Sequence, residues 1–295
     1  MCDYLHGEQL EGDHGDIDIS RAGLCAGHNE QTIYGLDGSN GEVIRIDIRK
    51  KQCPTVFESG FLCTIKAMCC LRGNSTKEDI LTILIQKEYP PQKCKLMALE
   101  ESNENEFEVG ARCKLQNYSG IKWKGVIAQM KSGVAVIQRG TSIIQVWQFA
   151  DPAVHEFNIP DGDSQVAGMC SMENVLGKQE LLALAFSNKK SIEFYAIELN
   201  GLVKVRNVLV ECDPFGLLWL EGKQTLFIGD NDGNVHELCA MHVSDRDVTS
   251  YKVKIDDKES FEVLSWCVLL DKHGNEKTIA LFDYQCNAVK IFDLP

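Results

Sequence analysis

Six units of similar pattern follow one another along the 295-residue chain. Each unit opens with a small residue and two apolar residues, continues through a polar turn, an apolar run and a second turn, and closes with an alternating strand. A repeat of this length is typical of small sheets that bury their faces against their neighbours. The sequence therefore predicts an all-β fold, a six-bladed β-propeller of four-stranded antiparallel blades. Neighbouring units begin 43 to 58 residues apart, with openings at Gly23-Leu24-Cys25, Ala67-Met68-Cys69, Gly125-Val126-Ile127, Gly168-Met169-Cys170, Gly216-Leu217-Leu218 and Ser265-Trp266-Cys267.

Turn residues and the alternation of apolar and polar residues mark the separate strands within each unit. In the fifth unit an apolar run at 225–228 leads into Asp230-Asn231-Asp232-Gly233-Asn234, residue types that tolerate the positive φ angles of tight hairpins. In the sixth unit Val289-Lys290-Ile291-Phe292 has the period of two of a strand with one face inward. Only residues 100–107 and 173–179 could hold a turn or two of helix. Outer strands are predicted at residues 55–59, 107–115, 154–159, 203–211 and 249–255.

The outer strands number five for six units, because the chain ends directly after the third strand of the last unit. Residues 16–19 alternate and precede the first unit, so we expect them to pair with 288–292 and close the ring, which removes exposed sheet edges. The predicted domains are an acidic, flexible N-terminus at residues 1–14 and a single propeller at 15–295. A β-sandwich or two small β domains would leave the strand count unexplained.

Charge and cysteine content limit the class of protein. The formal net charge is −13, of which residues 1–20 contribute −6, and this disfavours a surface that binds nucleic acid throughout. The sequence has no apolar run long enough to span a membrane, and its N-terminus lacks the features of a secretory signal. The 13 cysteines include no C-x-x-C pair. We expect reduced, buried thiols in a cytoplasmic protein with no metal site and no cofactor.

The fifth unit resembles an NHL repeat. Its inner strand opens at Phe215-Gly216, and its third strand begins with Asn234-Val235-His236 after an acidic turn. Asn287-Ala288-Val289 in the sixth unit and 142–147 in the third are similar. WD repeats share the Val-x-Ile-Phe-Asp ending, but the Trp-Asp and Gly-His pairs typical of them are missing from their usual places. The chain thus resembles a degenerate six-bladed NHL propeller first and a WD-repeat propeller second.

The NHL resemblance implies a binding function. Such domains commonly form the C-terminal recognition module of tripartite-motif ubiquitin ligases, but the RING, B-box and coiled-coil segments of those proteins do not occur in this sequence. The resemblance therefore implies a recognition domain that does not itself transfer ubiquitin. Some NHL domains bind RNA on a basic face, which is the first alternative.

A second alternative is a gluconolactonase-like hydrolase with a divalent metal on the propeller axis. Oxygen ligands for such a metal could come from Glu11, Asn117, Asn158, Asp213 and Asp257. No motif links these residues, and no Ser-His-Asp set, phosphate loop or His-Glu-x-x-His motif is present. We therefore expect a non-catalytic protein.

The loops between second and third strands share one face of a propeller with the loops that enter the inner strands. In units two to four these loops carry Lys87, Arg139, Lys189 and Lys190. In units five, six and one they carry Asp230, Asp232, Asp283 and Asp37. A bipolar rim with aromatic residues suits a protein or peptide better than a nucleic acid, which needs a continuous basic track. The predicted partner-binding residues are Tyr89, Tyr118, Trp123, Arg139, Lys189, Lys190 and Phe215.

Overall fold

The computed structural model describes residues 4–5, 7–10, 19–27, 32–37, 41–48, 54–60, 63–71, 79–87, 93–103, 106–115, 125–138, 140–149, 151, 153–160, 165–198, 201–230, 237–244, 247–255, 263–271, 273, 275–283 and 288–293. Within these ranges the chain is almost wholly β-strand, with a single-turn 3-10 helix at Ser187–Lys189 and no α-helix. In chain order the strands are β1 (Tyr4–Leu5), β2 (Gly7–Leu10), β3 (Ile19–Ala26), β4 (Thr32–Asp37), β5 (Glu42–Asp47), β6 (Thr55–Glu58), β7 (Cys63–Leu71), β8 (Ile80–Lys87), β9 (Cys94–Asn103), β10 (Glu106–Lys114), β11 (Gly125–Gln129), β12 (Gly133–Gln138), β13 (Ile143–Gln148), β14 (Val154–Asn158), β15 (Val166–Val175), β16 (Lys178–Phe186), β17 (Ser191–Glu198), β18 (Gly201–Leu209), β19 (Pro214–Leu220), β20 (Thr225–Asp230), β21 (Glu237–Val243), β22 (Val248–Ile255), β23 (Val263–Leu270), β24 (Glu276–Asp283) and β25 (Ala288–Asp293).

The strands form six antiparallel sheets, which are the blades of a six-bladed propeller. Blades 1 to 5 run from inner to outer strand as β3–β6, β7–β10, β11–β14, β15–β18 and β19–β22, and blade 6 contains β23, β24 and β25. Each inner strand contacts the inner strands of both neighbouring blades, including β23 with β3, so the ring is closed. This confirms the predicted fold class, and the five predicted outer strands correspond to β6, β10, β14, β18 and β22.

An N-terminal strand completes the sixth blade, but it is not the strand that we expected. Antiparallel pairing joins β2 to β25, with Gly7 opposite Phe292 and Leu10 opposite Val289. The prediction of residues 16–19 was wrong, because Ile19 begins β3 and lies opposite Asp37 in blade 1, while residues 16–18 lie outside the described residues. Alternation shows that a segment can form a strand, but it does not show which edge the strand joins.

The N-terminal segment also adds a fifth strand to blade 5. There β1 pairs in parallel with β22, with Tyr4 opposite Lys254 and Leu5 opposite Ile255. Residues 4–5 and 7–10, which we placed before the propeller, thus lie at the outer edges of blades 5 and 6.

The two segments that could hold helical turns form hairpins instead. Residues 100–107 lie mostly in β9 and β10, and residues 173–179 join β15 to β16. The second hairpin closes through Leu176 and Gly177, whose φ angles are 50° and 68°, while Val175 pairs with Lys178. Two central residues with positive φ match the right-handed twist of adjoining strands. Strand pairing therefore overrides the local helix propensity.

The core consists of apolar layers between the blades. The second strands are buried on both faces, which explains their continuous apolar runs. In β16, Leu182 and Leu184 pack towards blade 3, and Leu181 and Ala183 pack towards blade 5. All six residues of β12 are buried, and Gly133 is required there because a Cβ atom would collide with the Trp147 carbonyl oxygen of β13.

Carboxylates join neighbouring blades at the face where first strands turn into second strands. We call this the opposite face, because it lies at the other end of the ring from the loops that join second to third strands. The Lys131 amide of blade 3 donates to Glu180 Oε1 of blade 4 at 2.9 Å. The Gly222 amide of blade 5 donates to Glu276 Oε2 of blade 6 at 3.0 Å. Each acid lies near the start of a second strand and accepts from the hairpin turn of the preceding blade, so these contacts fix the blades to one another.

A buried carboxylate has a similar place between blades 1 and 2. Asp79 directly precedes β8, is fully buried and accepts a hydrogen bond of 3.2 Å from the Tyr34 hydroxyl of β4. Burial, followed by the nearby Asp79 charge, raises the pKa of Tyr34 far above its usual range, so this hydroxyl remains a donor. The Asp79 carboxylate also lies against Gly27, where an added Cβ atom would come within 2.8 Å of Asp79 Oδ2.

Candidate binding face

The candidate face is the end of the ring where inner strands begin and second strands turn into third strands; we call it the loop face. Antiparallel connectivity places these two sets of loops at the same end of every blade. Of the predicted partner-binding residues, Lys189, Lys190 and Phe215 are described and lie at this end of blades 4 and 5. The others lie outside the described residues, and they are Tyr89, Tyr118, Trp123 and Arg139.

Lys189 and Lys190 project from a well-defined turn between β16 and β17. The turn is the 3-10 helix Ser187–Lys189, which ends at Lys190 in the left-handed conformation, with φ 46° and ψ 54°. The Lys190 amide donates to the Ser187 carbonyl at 3.3 Å, and the Val210 amide donates to the Lys190 carbonyl at 2.8 Å. Both lysines are solvent-exposed although their backbone is tied to the chain that leaves the outer strand. The turn therefore presents cations from a fixed backbone.

A buried carboxylate organises the lysine side chains. Glu193 is 2% exposed and accepts a hydrogen bond from the Tyr195 hydroxyl through Oε2. Lys204 Nζ lies 3.0 Å from Glu193 Oε2, and Lys189 Nζ lies 3.8 Å from Oε1. A carboxylate at this depth requires compensating charge and hydrogen bonds, because burial in an apolar medium penalises the ionised form.

Aromatic rings lie beneath the same two ammonium groups. Lys189 Nζ is 5.0 Å from the centroid of the Phe186 ring, and Lys204 Nζ is 5.8 Å from the centroid of the Tyr195 ring. A cation within about 6 Å of a ring face is attracted by the ring quadrupole. Lys189, Lys190 and Lys204 form what we call the lysine patch, in which Lys189 and Lys204 share the carboxylate of Glu193 and the adjacent Lys190 is exposed.

Blade 5 presents carboxylates and an aromatic ring at the loop face as well. Asp213 directly precedes β19, and its amide donates to Asp230 Oδ1 at 3.2 Å. Asp213 Oδ1 is buried and has no hydrogen-bond partner among the described residues. Phe215, the second residue of β19, is partly exposed. Its carbonyl oxygen would lie 2.9 Å from a Cβ atom at Gly168, so the inner strands of blades 4 and 5 approach closely here.

The structure thus places Lys189 and Lys190 on blade 4 and the carboxylates of Asp213 and Asp230 on blade 5, at the same face of the ring. Sequence reasoning identified Lys189, Lys190 and Phe215, but it missed Glu193, Lys204 and Tyr195. The signal for Glu193 was an acid inside the strand Ile192-Glu193-Phe194-Tyr195. That pattern assigns Glu193 and Tyr195 to one face of β17, but it does not reveal that this face is buried against blade 3.

The residues proposed for the alternative metal site do not come together in the described part of the chain. Asn158 ends the outer strand β14, and Asp213 lies before the inner strand of blade 5. Glu11, Asn117 and Asp257 lie outside the described residues. Within the described ranges there is no group of three or more His, Cys, Asp or Glu side chains that could hold a metal ion, and no helix that could cross a membrane.

Comparison with known proteins supports the fold and goes no further. No protein-family model matches the sequence, and no curated protein is significantly similar to it. Among solved structures, the chain is similar to Mala s 1, the major allergen of Malassezia sympodialis, with a TM-score of 0.67 and 8% identity over 95% of each chain. A chain of the mitotic checkpoint complex has a TM-score of 0.59 and 10% identity, over 98% of this chain and 95% of that one. At such identities the likeness concerns the fold alone.

Proposed function

We propose that this propeller is a non-catalytic recognition module that binds a protein or peptide on its loop face, as the NHL-type resemblance implies. One observation carries the proposal: Glu193, buried beneath the rim, holds the ammonium groups of Lys189 and Lys204 at fixed positions. Cations held in this way lose little conformational entropy when they bind an anion, which favours affinity. We therefore propose that the lysine patch receives acidic side chains of the partner.

The charges of blade 5 support a partner of mixed charge. Asp213, Phe215 and Asp230 are all partly exposed at the loop end of blade 5, where the Asp213 amide donates to Asp230 Oδ1. The two carboxylates would attract a basic side chain of the partner, and the Phe215 ring would contribute apolar contact area of the kind found at interface centres.

Protein is favoured over RNA as the partner because the positive charge is local. The chain carries a net charge of −13, and on the loop face the lysine patch of blade 4 is followed by carboxylates on blade 5. Single-stranded nucleic acid is usually bound along a continuous basic groove with stacking platforms. We further propose that the module works in the cytoplasm, where its cysteines would remain reduced.

Selection of peptides provides the test. Random peptides displayed on phage are selected on the immobilised domain, and the binders are synthesised and measured by fluorescence anisotropy. We expect acidic residues to be enriched among them. The double variant Lys189→Glu/Lys190→Glu should weaken binding at least tenfold, because a lost charge-assisted contact costs about 1.5–3 kcal/mol. Adding Arg139→Glu should weaken it further.

A control of equal charge change tests the location of the site. The double variant Lys131→Glu/Lys178→Glu alters two lysines at the opposite face, each in an exposed ion pair, and it should leave binding within about twofold, since exposed pairs contribute little. Equal losses in both variants would indicate an effect of net charge alone, and unchanged binding in the loop-face variant would exclude the lysine patch. Salt dependence identifies the RNA alternative. If the ligand is single-stranded RNA, the logarithm of the binding constant should fall with the logarithm of the salt concentration, with a slope of roughly −0.7 per neutralised phosphate.

A further inference from the structure

The large apolar side chains that are exposed in the described part of the chain lie on one strand. They are Val203, 44% exposed, and Leu209, 75% exposed, and both belong to β18, the outer strand of blade 4. Among the described residues no further strand pairs with the outer side of β18. An outer strand presents backbone N–H and C=O groups with which another chain can pair. An extended segment can therefore add to the sheet at this edge.

The register between β17 and β18 shows which side chains of β18 lie on the side of blade 3. Lys204 lies opposite Tyr195, and Leu209 lies opposite Ser191. Tyr195 belongs to the apolar layer between blades 3 and 4, and Ser191 is on the same face of β17 because side chains alternate along a strand. Directly opposite residues project to the same face, so Lys204 and Leu209 share the side of blade 3.

The other two side chains lie on the side of blade 5. Arg206 lies opposite Phe194, and Val203 lies opposite Ala196. Phe194 and Ala196 belong to the apolar layer between blades 4 and 5, and Arg206 contacts Asp247 of blade 5 at 3.3 Å. Each side of β18 thus presents one cation and one exposed apolar residue.

The charge of β18 sets it apart from most outer strands. Among the described outer strands, β18 and β22 contain basic residues and no acidic residue. The strand β22 already accepts an additional strand, because β1 pairs with it in parallel and Tyr4 lies opposite Lys254. β1 comes from the first 20 residues, which contain six acidic residues and no Lys or Arg. The outer strands of the other blades contain Glu58 in β6, Glu106 and Glu108 in β10, Glu156 in β14 and Glu8 in β2.

The positive charge also selects the occupant of the edge. Two copies joined through β18 would bring the cations of one copy close to those of the other, and like charges on neighbouring strands are destabilising. Lys204 and Arg206 contact Glu193 and Asp247 within the chain. An ammonium group has three donors and a guanidinium group has five, so each cation can bind a further carboxylate. Charge therefore favours an acidic segment over a second copy.

We propose that the outer edge of blade 4 binds an acidic, extended segment of a partner protein, which adds to β18 as a fifth strand. Acidic side chains of the segment lie beside Lys204 and Arg206, and apolar side chains of the segment cover Val203 and Leu209. Main-chain hydrogen bonds hold the segment, and its alternate side chains provide selectivity. This edge is on the side of the ring and shares only Lys204 with the lysine patch, so the inference goes beyond the loop-face proposal.

Hydrogen exchange of the full-length protein, followed by NMR, tests the proposal with two peptides that have blocked ends. Val-Glu-Glu-Thr-Thr-Leu matches β18 in a parallel orientation, and Leu-Thr-Thr-Glu-Glu-Val matches it in an antiparallel one. We expect at least one of them to protect alternate amides of β18. With about nine-tenths of the protein bound, these amides should exchange about tenfold more slowly, because exchange then proceeds from the unbound tenth. The same peptides with lysine in place of glutamate should give no protection.

Variants of the edge test the side chains, with peptide affinity measured by fluorescence anisotropy. Leu209→Ser should weaken binding about fivefold, because it removes apolar area that the segment covers. Arg206→Glu should weaken it about tenfold, because it replaces an attraction by a repulsion. The matched control is Arg112→Glu, which alters an exposed arginine on β10, the outer strand of blade 2. It should leave binding within about twofold.

Three results would overturn the proposal. The first is that neither peptide protects β18 at millimolar concentration, and the second is that the lysine peptides protect β18 equally well. The third is that β18 is protected without peptide to an extent that rises with protein concentration, which would make a second copy the occupant. The wild-type protein suffices for all three. Loop-face binding is measured with other peptides and other variants, so this inference and the loop-face proposal can fail separately.

Discussion

Replacing Glu193 by alanine tests whether the buried carboxylate is the element that organises blade 4. The variant removes an acceptor of the Tyr195 hydroxyl, and Tyr195 is fully buried. It also removes the partner of Lys204 Nζ at 3.0 Å, in a side chain that is 28% exposed. The two losses differ in kind, since a buried hydroxyl cannot be rehydrated whereas a partly exposed ammonium group can.

The magnitude follows from these two losses. A buried donor that loses its partner costs about 1–3 kcal/mol, and an ion pair with one partly exposed member contributes up to about 1 kcal/mol. We expect Glu193→Ala to lower the free energy of unfolding by about 1–4 kcal/mol. At roughly 2–4 °C per kcal/mol, the Tm should fall by roughly 2–16 °C.

Thermal unfolding followed by circular dichroism measures the effect, with two further variants as controls. Glu193→Gln keeps an acceptor for Tyr195 and loses only the charge, so it should cost about 1 kcal/mol or less. Glu198→Ala removes an exposed partner of Lys178 on the same strand and should change stability by less than about 0.5 kcal/mol. If the Tm of Glu193→Ala equals that of the wild-type protein, the buried carboxylate does not organise the patch. If Glu193→Gln is as damaging as Glu193→Ala, the charge rather than the acceptor is what stabilises.

Three other predictions concern the ring, its packing and its thiols. Deleting residues 1–10 removes β1 and β2 and leaves β25 as an open edge. The Tm should therefore fall by well over about 5 °C. A deletion variant that melts within about a degree of the parent would show that β2 is not needed for closure. Gly133→Ala should lower the free energy of unfolding, measured in urea, by about 3 kcal/mol or more, because the added Cβ meets the Trp147 carbonyl oxygen. Gly177→Ala is the control: an added Cβ has open space there but the φ angle is 68°, so the loss should be about 1 kcal/mol. Titration with Ellman's reagent should find few reactive thiols in the native protein and all 13 after denaturation, and several native disulfides in freshly purified reduced protein would contradict this expectation.

Much of the fold could be predicted because it depends on local pattern. The apolar run at 181–186 is continuous because β16 is buried on both faces, and the run Val289-Lys290-Ile291-Phe292 alternates because β25 belongs to the outer half of its blade. The loop between the second and third strands of the fourth unit was predicted to carry Lys189 and Lys190, two of the seven predicted partner-binding residues, and the structure has the 3-10 turn Ser187–Lys189 there, capped by Lys190. Repetition of these local signals with a nearly constant spacing determined the number of blades.

The sequence by itself therefore determined the blade count, the order of strands and the end of the ring at which the loops lie. Tertiary structure alone decided which N-terminal strand closes the ring, since residues 7–10 and 16–19 could each form a strand and only pairing with β25 distinguishes them. It also decided that Glu193 is buried and pairs with Lys189 and Lys204. A period of two specifies the alternation of faces along one strand. The residues that each face contacts depend on how separate blades pack, and no local sequence pattern encodes that packing.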